Sequence, residues 1–96
     1  MQIALVIGST ISTIKDEAIR GRKLLIVRKA DTTGKVTGEP YVAVDTVSAR
    51  TGDLVLVTDG SSARYTGQTT EAPVDAVIVG VIDSLEMGGE VTYRKE

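Results

Sequence analysis

Tyr41-Val-Ala-Val-Asp-Thr-Val-Ser-Ala-Arg-Thr-Gly-Asp-Leu-Val-Leu-Val-Thr-Asp-Gly-Ser-Ser-Ala-Arg64 is the stretch on which the chain turns. Tyr41 to Asp45 is β-branched and apolar and reads as a strand. Ser48 to Gly52 is a tight polar loop with Arg50 as its one large charge. Asp53 to Thr58 is a second strand with Leu-Val-Leu-Val at its centre. A glycine turn and one short helical turn then lead to Arg64.

The rest of the composition agrees with a β-fold. Val, Ile and Thr occupy 33 of the 96 positions, which favours strands over helices. Phe and Trp are absent and only three Tyr are present, so aliphatic residues and Ala must form the core. A folded chain of 10.1 kDa should expose about 5,300 Å², roughly one-third of its unfolded surface. The expectation is one domain over residues 1–96.

Several function classes are thereby disfavoured. No Cys is present to form disulfides or bind zinc as thiolate. No His is present to serve as a metal ligand or as a base near neutral pH. No metal or cofactor is therefore expected. A net charge of −2 with mixed signs lacks the basic field that nucleic-acid binding needs. The apolar run Ala76 to Ile82 is too short for a membrane helix, and Met1 to Gly8 makes a poor signal peptide. The expectation is a soluble cytoplasmic protein.

Along the chain, Ile3 to Ser12 reads as a first strand and Lys23 to Lys29 as a second. Between them, Lys15 to Arg20 reads as a polar turn or one helical turn, ended by Gly21. Asp31 to Pro40, with Gly34, Gly38 and Pro40, reads as an exposed connection or a loose hairpin. After the opening stretch comes a polar loop, Tyr65 to Pro73. Val74 to Asp83 is the most apolar strand, and Gly88-Gly89 turns the chain into a last strand, Val91 to Arg94. About six short strands predict an all-β fold, a small closed barrel or a sandwich, with one or two short helical turns and a C-terminal β-hairpin; a closed barrel of oligonucleotide-binding topology fits the strand count.

Three strands break the usual alternation. Leu24 to Val27, Leu54 to Val57 and Ala76 to Val79 are apolar on both faces, and no helix is available to cover them. Each outward Leu or Val left wet forgoes roughly 1.5–3 kcal/mol of burial. That is large against a domain stability of about 5–15 kcal/mol. Copies of the same chain are the expected cover.

Words that enzymes use are weighed against plainer meanings. Asp45-Thr46-Val47-Ser48 resembles the Asp-Thr-Gly signature of the retroviral-type aspartic proteases, homodimers that pair one carboxylate from each chain. Here Val47 stands where that active-site turn requires glycine. Asp45 reads instead as a strand end bonding nearby loop amides. Asp59-Gly60-Ser61-Ser62 could cradle an anion, but glycine then serine at a helix N-cap is the commoner use. Asp75 and Asp83 bracket one strand and read as turn formers. Arg64 reads as a surface charge or an intersubunit ion-pair partner. A ligand-binding barrel module is the other alternative, although stacking platforms for bases are lacking.

Ala43-Val-Asp-Thr-Val-Ser-Ala-Arg-Thr-Gly-Asp-Leu-Val-Leu-Val57 resembles the bacterial microcompartment vertex proteins, the pentameric shell proteins of carboxysomes and of ethanolamine- and propanediol-type metabolosomes. So do Ile7 to Lys15, Gly21 to Val27, Gly60 to Arg64 and Ala72 to Asp83, in the family's order. The resemblance implies a small β-barrel, a homopentamer closing the vertices of a polyhedral shell, hexameric shell proteins as neighbours, and no catalysis. The chain departs from the family in one loop. Where the family usually reads Gly-Ala-Gly-x-Gly-Glu, this chain reads Ser48-Ala-Arg-Thr-Gly-Asp53. The loop Ser48, Ala49, Arg50, Thr51 and Gly52 is thus a candidate for the pore or a subunit seam. Arg64, Asp45, Asp53 and Asp75 are candidate intersubunit contacts. Ser48 and Arg50 stand where glycine would permit positive φ, which both residues avoid.

Overall fold

The computed structural model describes residues 1–11, 21–59 and 76–96. Seven strands occupy them: β1 Gln2–Ser9, β2 Lys23–Ala30, β3 Val36–Asp45, β4 Leu54–Asp59, β5 Ala76–Val81, β6 Ser84–Met87 and β7 Glu90–Arg94. The first five close a barrel in the order β1-β2-β3-β5-β4, with β4 returning to β1. Strands β6 and β7 form a separate hairpin. The expected all-β barrel and C-terminal hairpin are both present. No helix occurs among the described residues; the helical turns expected around Lys15 to Arg20 and Gly60 to Arg64 lie outside them.

Period-two alternation decides what fills the barrel. Ala4, Val6, Leu25, Val27, Ala43, Val55, Val57, Ala76 and Ile78 point inward and form one buried cluster. Tyr41 packs against it, and the Gln2 side-chain amide donates to the Tyr41 hydroxyl. The small side chains of Ala4, Ala43 and Ala76 suit a barrel of only five strands, whose interior has no room for larger ones.

The outer faces of the doubly apolar strands have two fates. Leu54 and Leu56 of β4, paired with Leu5 and Ile3 of β1, are covered by Leu85 and Tyr93 of the hairpin and by Ile82. Leu54 is fully buried. The expectation that copies of the chain cover these faces is therefore corrected for β4: its outer face is buried within the chain. Leu24, Val44, Val77 and Val79 form a third cluster outside β2, β3 and β5, in which Val44 and Val77 are already buried in the single chain, so the same correction holds for β5 at Val77. Ile26 and Val42, directly paired, stay part-exposed and exposed. The chain exposes 6018 Å² in all, above the compact-monomer expectation.

Two boundaries differ from the sequence reading. Strand β1 ends at Ser9, not Ser12, and carries a bulge between Val6 and Gly8. Strand β3 begins at Val36, inside the stretch read as a connection. Pro40 is tolerated there because β3 pairs with β5 only at Val44 and Asp45, so at Pro40 one strand edge needs no donor. Glycine is favoured at position 38 because a β-carbon there would come within 3.1 Å of the Lys29 Cβ. It sits opposite an irregularity between Arg28 and Ala30. The Arg28 Nε donates to the Gly38 carbonyl at 2.6 Å and ties this extension down.

Candidate functional site

The loop from Asp45 to Asp53 is built around two carboxylates. Asp45 ends β3 and is 6% exposed. Its Oδ1 accepts from the Val47 amide and its Oδ2 from the Ala49 amide, both at 3.0 Å. The expectation that Asp45 bonds loop amides is borne out. Charge-assisted bonds of this kind are each worth about 1.5–3 kcal/mol. With its oxygens engaged this way, Asp45 is a structural clamp, not half of a proton-sharing dyad.

Clamping both amides makes the chain reverse over three residues, and Ser48 sits at the apex with φ 59°. Ser48 thus adopts the conformation that glycine would permit, at a cost of about 1–2 kcal/mol. Arg50 does not: among the described residues Ser48 alone combines a side chain with positive φ. The reversal drives Ala49 into the barrel cluster, where it is fully buried.

Asp53 clamps the other end. Its Oδ2 accepts from the Arg50 amide at 2.9 Å, and its own amide donates to the Arg50 carbonyl at 2.9 Å. Gly52, with φ 96°, donates to the Val6 carbonyl at 2.8 Å. The Val6 amide donates to the Asp53 carbonyl, which stitches the loop to β1. Asp53 Oδ1 lies 3.8 Å from the Lys95 ammonium. Nothing in the residues signals that pairing, because the partners lie far apart in the chain, Asp53 just before β4 and Lys95 just after β7.

Ser48, Arg50, Thr51 and Gly52 are exposed. Two open clefts flank them. One, of 230 Å³, lies between Arg22, Lys23, Asp45 and Ser48. The other, of 400 Å³, lies between Thr51 to Asp53 and Tyr93 to Glu96. Of the sequence-predicted residues, Asp45, Asp53 and the 48–52 loop are brought together. Arg64 and Asp75 lie outside the described residues. Among the described residues, no group of three acidic, His or Cys side chains could hold a metal, and no helix is long and apolar enough to cross a membrane.

A family model described as ethanolamine utilisation protein EutN/carboxysome matches residues 1–83. The chain belongs to the EutN/CcmL family. It is 36% identical over 95 residues to the bacterial microcompartment shell vertex protein EutN of Salmonella typhimurium, covering 99% of this chain and 96% of the relative. A solved ethanolamine utilization protein, EutN, superposes with a TM-score of 0.90 at 35% identity, covering 100% of both chains. The pentameric microcompartment shell protein GrpN from Rhodospirillum rubrum superposes at 0.79, with 39% identity over 91% of this chain and 99% of its own. The EutN/CcmL barrel is thus conserved in shape over essentially the whole chain.

Proposed function

We propose that the chain is a structural shell protein that assembles into a homopentamer and closes the vertices of a polyhedral bacterial microcompartment. The observation that carries this reading is the end-to-end likeness to a protein named as a shell vertex protein, joined by the fold shared with a pentameric shell protein. Its role is geometric and not catalytic. A sheet tiled only by six-fold units stays flat, and a five-fold unit gives it a corner. Hexameric shell proteins are therefore the proposed neighbours.

Within this reading, the Ser48–Gly52 loop surrounds the five-fold opening. Five Arg50 side chains there would favour anions, as cationic rings do in pores. Cryo-electron microscopy of the assembled ring tests the placement: Arg50 encircling the axis supports it, and Arg50 at the outer rim overturns it. The vertex role is tested by co-expression with a hexameric shell protein. Closed polyhedra should form only when this chain is present. Identical assemblies with and without it would contradict the proposal.

A further inference from the structure

Two apolar exposures lie on different parts of the described surface. The first is a row across the outer wall of β1, β2 and β3. Gly8, Ile26 and Val42 stand side by side in register there, with Val42 48% exposed. Ile7, at the β1 bulge, is 39% exposed beside them. The second is the tip of the β6–β7 hairpin, where Met87 is 55% and Val91 50% exposed. The hairpin's base is fixed: Leu85 and Tyr93 pack on the barrel, and the Thr92 Oγ1 donates to the Thr32 carbonyl. Register places Met87 opposite Glu90, two residues beyond the Leu85–Tyr93 pair and so on the same ribbon face. A bulge in that register sets Val91 opposite Glu86, on the other face.

We propose that the hairpin tip of one copy seats on the Gly8–Ile26–Val42 row of the next, forming the repeated seam of the ring. This rests on the vertex reading above. A closed ring with an odd number of copies cannot be built from a self-matching patch. It needs two unlike patches that fit each other. The row and the tip are two such patches.

Their shapes and charges agree. Gly8 has no side chain, and among the described residues a β-carbon there would meet only the Ile26 Cδ1, at 3.9 Å. Met, unbranched and adaptable, is suited to the gap that a missing side chain leaves. Glu90, paired with Met87 on the same ribbon face, flanks the seated side chain, while Arg28, the next outward residue after Ile26, edges the row. Acid therefore meets base where apolar meets apolar.

The test uses the full chain in native mass spectrometry with Met87→Glu and Val42→Glu. Each variant alone should lose the five-copy ring at concentrations where the parent chain is assembled. Mixed together, they should give one-to-one dimers and no ring, because only one intact seam remains. Rings in either variant would overturn the seam while leaving the vertex reading in place. Loss of rings without mixed dimers would overturn the pairing of these two patches. A parent chain that forms no ring would overturn the vertex reading itself. Should either charge prevent folding, a chain carrying Val42→Cys with Met87→Cys provides the second measurement. This chain has no other Cys, so oxidation of its ring should yield a covalent ladder up to five chains. An assembled ring without that ladder overturns the seam.

Discussion

Two stretches of the barrel's outer wall are alike in sequence and opposite in fate. On β4, Leu54 and Leu56 face out and are covered by the chain's own hairpin. On β2 and β3, Ile26 and Val42 face out as directly paired neighbours and remain part-exposed and exposed. Residue type does not distinguish them. What differs is which wall the last thirteen or so residues can reach, and only two residues, Ile82 and Asp83, separate β5 from β6. That short connection holds the hairpin near the β5–β4–β1 side of the barrel. An apolar face is thus finished internally where the chain can fold back and is left exposed where it cannot.

The largest effect that can break this comparison is expected at the covered wall. Leu54→Ala should lower protomer stability by about 2–5 kcal/mol, as for a fully buried core leucine, measured by denaturant unfolding. A change within about 0.5 kcal/mol, as for a surface position, would mean that the hairpin does not cover β4.

A control lies on neither wall. Ser48→Gly should relieve left-handed strain of about 1–2 kcal/mol but restores about 0.5–1 kcal/mol of backbone entropy cost. The net gain should therefore be at most about 1.5 kcal/mol, with assembly unchanged. Marked destabilisation would refute the strained apex.

Val42→Ser sharpens the contrast from the open side. Its effect on unfolding of the dilute protomer should stay near 0.5 kcal/mol. The concentration needed for assembly should rise by about tenfold, the equivalent of 1.4 kcal/mol per seam. A large loss of protomer stability with no change in assembly would reverse the roles of the two walls.

The smallest effect is one of pH. In the β2–β3 connection, Asp31 Oδ1 accepts from the Thr33 hydroxyl at 2.6 Å, the Thr33 amide at 2.8 Å and the Lys35 amide at 3.1 Å. These bonds, the hydroxyl's foremost, hold its carboxyl below the ordinary value of 3.8. The stabilisation is fully present above that value and is lost as pH falls through the depressed folded one. Asp31→Asn should remove this component of acid sensitivity, seen as a flatter stability profile below about pH 4. A β-carbon added at the neighbouring Gly34 would come within 3.0 Å of the Tyr93 ring, so this connection lies beside Tyr93 and the loosening should begin on the covered wall.

Much of this architecture was legible in the residues themselves. The strands themselves follow from the β-branched apolar runs and the C-terminal hairpin from the Gly88-Gly89 turn, and Asp45 was readable as a clamp because a carboxylate at a strand end beside a small polar loop seeks amides. The start of β3 was not legible, since Gly38 and Pro40 are turn residues in most settings. Their place in a strand depends on the Lys29 backbone opposite and on a free edge, which are tertiary facts. The burial of Ala49 was equally hidden, because a loop alanine looks alike in solvent and in a core. Nor did the sequence reveal which doubly apolar strand the hairpin would cover.

Native mass spectrometry of the unmodified chain at near-physiological salt tests the central claim most directly. The account predicts one dominant species, a closed ring of five 10.1 kDa chains, because the β2–β3 wall is left for a partner. A chain that stays monomeric, or stops at a dimer, would contradict it.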